Sequence, residues 1–113
     1  MARRAARIDD NQPEIVATFR KLGASVAHTH MVGDGFADVV VGFKSSNVLV
    51  EIKDSKKPPS ARKLTPAEAK FHDEWRGAIV IIDHPGQCVG LLEDMANKVY
   101  PIEQKPTMGR PKK

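Results

Sequence analysis

Apolar positions along the chain recur first at helical spacing, then at strand spacing, then at helical spacing again. Between residues 11 and 22, Ile15, Val16, Phe19 and Leu22 fall on one face of a helix. Asn11 stands at its cap, Pro13 suits its first turn, Glu14 completes a capping-box pattern, and Gly23 ends it. Residues 25–32 read as a first strand, with Val26, His28, His30 and Val32 on one face and Ala27, Thr29 and Met31 on the other; Gly33-Asp34-Gly35 is a turn. Two more strands are predicted at 36–41 and 48–53, joined by the polar turn Lys44-Ser45-Ser46-Asn47. Two prolines mark 54–64 as a loop. Thr65-Pro66-Ala67-Glu68 then places a Thr cap, a Pro at the first helical position and a Glu at the third. That helix runs to about Arg76, buries Phe71 and Trp75, and stops at Gly77. Ala78 to Ile82 is a continuous apolar run, as expected of a strand covered on both faces. Strand 48–53, helix 66–76 and strand 78–82 make a βαβ unit with an expected right-handed crossover. Val89, Leu92, Ala96 and Val99 give helical spacing over 86–99, interrupted by Gly86 and Gly90. The fold class is α/β, without internal repeats.

Three charges break the apolar strands: Asp38 in the second, Glu51 and Lys53 in the third. An unpaired charge buried in a sheet costs several kcal/mol or neutralises, so its presence calls for a use. Alternation puts Glu51 and Lys53 on one face and Val50 and Ile52 on the other. Folding the hairpin about Lys44 and Ser45 sets Asp38 opposite Glu51. Moving the turn by one full residue sets Asp38 opposite Lys53. Either register gathers all three groups on one face; a half-residue shift separates them. Two carboxylates and an ammonium on one spot suit a divalent metal and a phosphate, which points to a metal-dependent nuclease. The plainer reading is a solvated edge-strand face, with Asp38 paired to Lys53.

At 113 residues and 41% hydrophobic content the chain makes one small domain. No run approaches transmembrane length, and the first seven residues lack the apolar segment of a signal peptide. The single cysteine, Cys88, lies in an apolar stretch, which assigns it to the core and fits an intracellular protein. The net charge of +4 is unevenly spread. Arg3, Arg4 and Arg7 open the chain; Lys53, Lys56, Lys57, Arg62 and Lys63 face only Asp54 across 53–63; Lys105, Arg110, Lys112 and Lys113 close it. The remainder is acidic. Basic segments on an acidic body suit a polyanion such as nucleic acid, the bland alternative being solvated ends. The expected organisation is a flexible basic arm at 1–10, a folded domain at 11–99 and a Pro- and Lys-rich tail at 100–113. Within that tail Gly109-Arg110-Pro111 resembles an AT-hook core, which keeps an arginine extended for the minor groove.

A leading helix, a strand carrying Asp38, a strand carrying Glu51-Ile52-Lys53, then a helix and a strand resemble the PD-(D/E)XK nuclease superfamily. Val50-Glu51-Ile52-Lys53-Asp54, the basic loop and Leu64-Thr65-Pro66-Ala67-Glu68 are most similar to its VRR-NUC branch of small stand-alone phage and bacterial proteins; the likeness covers residues 9–83. Ala37 replaces the Pro of the motif name, and the helix after Lys53 lacks the Gln often found there. The resemblance implies a restriction-endonuclease-like core, a central mixed sheet of about four strands flanked by helices in the order αβββαβ. It implies Asp38, Glu51 and Lys53 as the catalytic triad and Glu14 as a further acidic position at the metal. Mg²⁺ or Mn²⁺ would be held by Asp38, Glu51, the Ile52 carbonyl and Glu14. Lys56, Lys57, Arg62, Lys63, Arg3, Arg4 and Arg110 would hold DNA phosphates. So small a domain has little surface to read sequence, so structure-selective cleavage of branched DNA, such as a Holliday junction or flap, is expected. A homodimer would supply the two sites that symmetric nicking needs. The implied location is the cytoplasm of a bacterial or phage-infected cell. Two other classes stay open: a non-catalytic nucleic-acid-binding module of the same fold, and an enzyme acting on a non-DNA phosphate. Glu68 reads as a cap and Phe71 and Trp75 as core. His28 and His30 read as strand-face residues without zinc spacing, and His72 falls on the polar side of its helix near the site.

Overall fold

The β-branched runs that flank the three charges pair as the middle of a sheet. The computed structural model describes residues 10–99. The expectations placed on the basic arm and the tail, including Arg3, Arg4 and Arg110, lie outside the described residues. Along the chain come α1 (Gln12–Lys21), β1 (Ser25–His28), β2 (Val39–Phe43), β3 (Ser46–Ile52), a 3-10 turn (Pro59–Arg62), α2 (Pro66–Glu74), β4 (Ile79–Ile82) and α3 (Gln87–Ala96). This is a mixed α/β fold. Its four strands lie in the order β1-β2-β3-β4, with β4 parallel to β3 and the other neighbours antiparallel.

The hairpin turn is tighter than the polar stretch 44–47 suggested. Lys44 and Ser45 both adopt left-handed backbone, with φ of 51° and 67°. That is the two-residue turn whose twist matches the strands it joins. Ser46 and Asn47 therefore belong to β3, and Phe43 pairs with Ser46 and Val39 with Val50. Two other strand limits move as well. β1 stops at His28 rather than at 32, because the Val32 N–H turns back to the Thr29 carbonyl at 3.0 Å. β2 starts at Val39 rather than at 36, after a loop in which Gly33, Asp34 and Gly35 all have positive φ. Thr29 fastens the end of that loop: its N–H donates to the Asp38 carbonyl and its hydroxyl to the Ala37 carbonyl, each at 2.8 Å.

Strand alternation divides the core in two. Val39, Val41, Val48, Val50, Ile52, Val80 and Ile82 bury one face together with Ile15, Val16 and Phe19 of α1 and Cys88, Leu91, Leu92 and Met95 of α3. On the other face, Leu49, Ile79 and Ala37 pack with Phe36, Phe71 and Trp75. α3 is rotated from the expected phase: Val89 and Val99 are exposed, and the buried stripe is Cys88, Leu91, Leu92 and Met95. Both stripes satisfy the helical period, so periodicity alone did not choose between them. Leu22 likewise lies exposed beyond the last turn of α1. Cys88 is core, with burial pushing its thiol up to about 11.

The two expected helix caps differ. At α2 the Thr65 hydroxyl accepts from the Glu68 N–H while Glu68 accepts from the Thr65 N–H, a complete capping box. At α1 no such box forms. Asn11 has helical backbone, and its amide donates instead to the carbonyls of Lys53 at 3.0 Å and Asp83 at 3.3 Å. Asn11 thus ties α1 to the ends of β3 and β4. Among the described residues no helix is long and apolar enough to cross a membrane.

Candidate active site

Continuing the β2–β3 ladder past Val39 and Val50 sets Asp38 opposite Glu51. Of the two registers left open by the sequence, the hairpin takes the one folded about Lys44 and Ser45. Asp38 leaves the strand here but stays beside it: its N–H donates to the Val50 carbonyl at 3.1 Å, and its Oδ2 accepts the Ile52 N–H at 2.7 Å. Glu51, Lys53 and Leu49 share the face toward α2, while Val50 and Ile52 face the opposite core. Asp38, Glu51, Ile52 and Lys53 line one cleft of about 420 Å³ together with Glu68 and His30.

Glu68 is the residue whose role the sequence understated. Its Oε1 serves the capping box and also accepts from Lys53 Nζ at 2.8 Å, whereas Lys53 Nζ stands 3.8 Å from Glu51 Oε2. The Lys53 ammonium thus makes a contact of hydrogen-bond length to the helix, while the strand carboxylate stands farther off. The electrostatics follow. Burial opposes ionisation of Glu68, but its hydrogen bonds from Lys53 and the Thr65 N–H hold it below its ordinary range. Glu51 is 1% exposed, and burial, then the charges of Asp38 and Glu68, push its carboxyl up to about 10. Burial also raises Asp38, against the lowering effect of the Ile52 N–H. Three acids thus crowd one lysine.

That crowding fits a divalent cation. Glu51 is buried with its Oε1 unpartnered by any hydrogen bond among the described residues, so the carboxylate's charge is poorly compensated and a cation on the group would offset it. Asp38 and Glu51 offer hard oxygens. Among the described residues no three His, Cys, Asp or Glu side chains form a cage by themselves. A cation here would complete its shell from backbone and water oxygens, the habit of Mg²⁺, which uses one or two carboxylates and keeps several waters.

The remaining sequence-named residues separate. Glu14 is exposed on α1 and does not line the cleft. Lys56 and Lys63 are exposed and Lys57 and Arg62 half-buried on the loop whose Ala61 and Thr65 form one rim of the cleft. His30 lies at the cleft, while His28 sits at a different groove beside α1. His72 is buried, and its Nε2 is 3.8 Å from Glu51 Oε1. The spacing of Glu68 and His72, four apart on one helix face, was the available signal that both reach the site.

The loop that carries Asp38 is seated on α2. Phe36 packs on Phe71 and Trp75 with ring centroids 5.0 and 6.2 Å apart, and Gly35, with φ of 81°, brings its backbone against Ala67. A Cβ on Gly35 would overlap the Ala67 carbonyl in addition to straining φ. Gly35→Ala is expected to lower stability by about 1–3 kcal/mol, read by denaturant titration. Gly90→Ala, where a Cβ meets nothing within 4 Å in the middle of α3, is the control and should stabilise by about 0.5–1 kcal/mol. A neutral Gly35→Ala would mean that this loop is not held against α2. No family model matches the chain, and neither a curated protein nor a solved structure matches it.

Proposed function

We propose that this protein is a metal-dependent endodeoxyribonuclease with a PD-(D/E)XK-like site on a restriction-endonuclease-like core. The observation that carries the reading is the opposition of Asp38 and Glu51 across the hairpin, with Lys53 on the same face and all three in one cleft rimmed by a basic loop. Mg²⁺ or Mn²⁺ held by Asp38 and Glu51 would supply a Lewis acid for the scissile phosphate and acidity for the attacking water. The chain's own residues do the rest. Asp38 is oriented by the Ile52 N–H on Oδ2, so its other oxygen is the one offered to the ion beside Glu51. Lys53, steadied by Glu68, puts a cation where charge builds on the phosphate oxygens. The basic loop draws the nucleic-acid backbone to the cleft without reading sequence. Branched DNA is the proposed substrate and a homodimer the proposed assembly.

The test is Mg²⁺- and Mn²⁺-dependent cleavage of labelled four-way-junction, flap, linear duplex and single-stranded DNA. Wild type should cut at least one of them. Lys53→Ala should lose about 10²–10³-fold in rate with binding retained. No cleavage of any substrate, with tight binding by both proteins, would replace this reading by that of a non-catalytic binding module.

A further inference from the structure

The two oxygens of Glu51 face different groups. Oε2 looks toward Lys53 Nζ and Oε1 toward His72 Nε2, each at 3.8 Å. Both side chains of the second pair are only 2% exposed. His72 lies one turn after Glu68 on α2, so this helix reaches the site twice: Glu68 takes the lysine and His72 faces the buried strand carboxylate. We infer that His72 is a positioning residue, which fixes the rotation of the Glu51 carboxylate so that Oε2 is the oxygen presented to Lys53 and the cleft.

The inference rests on the metal-site reading above. A carboxylate about to ligate a cation can rotate about its last bond, and rotation misplaces the ligating oxygen. A donor behind the other oxygen removes that freedom. Such outer partners typically change metal affinity or activity by about 10–100-fold when removed. At 3.8 Å the pair stands outside hydrogen-bond reach, and the inference has the two side chains close that gap when the carboxylate is ligated. A His buried only for packing would leave cation affinity untouched.

The experiment is Mn²⁺ binding to the full chain at fixed pH, followed by electron paramagnetic resonance, for wild type, His72→Leu and His72→Gln. Circular dichroism reports their fold. His72→Leu should bind Mn²⁺ about 10–100-fold more weakly. His72→Gln, whose amide nitrogen can stand where Nε2 stands, should recover most of the affinity. Equal affinity in wild type and His72→Leu would overturn the inference alone, as would Leu and Gln variants that are equally weak. Absence of Mn²⁺ binding by wild type would overturn the metal site and the inference together. Should His72→Leu fail to fold, His72→Asn replaces it: its shorter amide should bind weakly beside a near-normal Gln variant, and equal affinities of the two would overturn the inference.

Discussion

Glu51→Gln should raise the melting temperature of the divalent-free protein while abolishing its response to Mn²⁺. Glu51 is buried among acids, and its carboxyl is pushed from its ordinary 4.5 to about 10 by burial, then by Asp38 and Glu68. In the unfolded chain the same group ionises near its ordinary value. Between those two pH values the folded state therefore holds a proton that the unfolded state releases. The stability from this group is fully present below about pH 4.5 and is lost as pH rises toward about 10. Glu68 is shifted the other way, so its contribution is present above its ordinary value and lost only as pH falls below it. The two windows do not overlap. A plot of melting temperature against pH from 5 to 9 should slope downward in wild type and flatten in Glu51→Gln. Replacing a buried group that resists ionisation by a neutral isostere stabilises by an amount of the order of 1–3 kcal/mol. Mn²⁺ reverses the wild-type penalty, because a cation bound only by the folded state stabilises by mass action. A wild-type melting temperature that ignores both pH and Mn²⁺ would show that Glu51 is not held as a strained ligand.

The sequence disclosed the strand charges because β alternation is a strict period of two: once Glu51 and Lys53 are on one face, only the register of Asp38 stays open. That register hung on a turn of two residues, and nothing in Lys44-Ser45-Ser46-Asn47 says which two carry left-handed backbone. The capping box at Thr65 and Glu68 was legible for a similar reason, since it is a local exchange of hydrogen bonds. Asn11 had the same local signature and does something else, because the carbonyls of Lys53 and Asp83, 42 and 72 residues away, compete for its amide. Glu68 was half legible: its capping role is local, its bond to Lys53 is not. Helical stripes were found but mis-phased in α3, where both Val89 and Leu91 are apolar and only the packed neighbours decide which turns inward. Glu14 matched a pattern in sequence and is exposed on the first turn of α1, outside the residues that line the cleft, while Asn11 ties that turn to the ends of β3 and β4.

Replacing Lys56, Arg62 and Lys63 together by glutamine should weaken binding to duplex and junction DNA by about 10²–10³-fold at about 0.1 M salt. The three leave the strand end on the loop that forms one rim of the acidic cleft. Each phosphate contact contributes about 0.9 to the slope of log affinity against log salt, so the slope should fall by up to about 2.7. The loop folds on its own local contacts: the Asp54 carboxylate accepts the Lys56 N–H at 2.9 Å, and the Ala61 N–H bonds the Pro58 carbonyl at 2.9 Å. Neutralising three side chains leaves those backbone bonds in place, so melting temperature should hardly change. Cleavage at saturating DNA should also survive, because other groups hold the site: the Ile52 N–H orients Asp38 and Glu68 steadies Lys53. This split separates the loop from the site: a loop that only delivers the backbone raises the DNA concentration needed, whereas a loop that took part in the chemistry would lower the saturated rate. An unchanged salt slope would move the nucleic acid off this loop and onto another face of the protein.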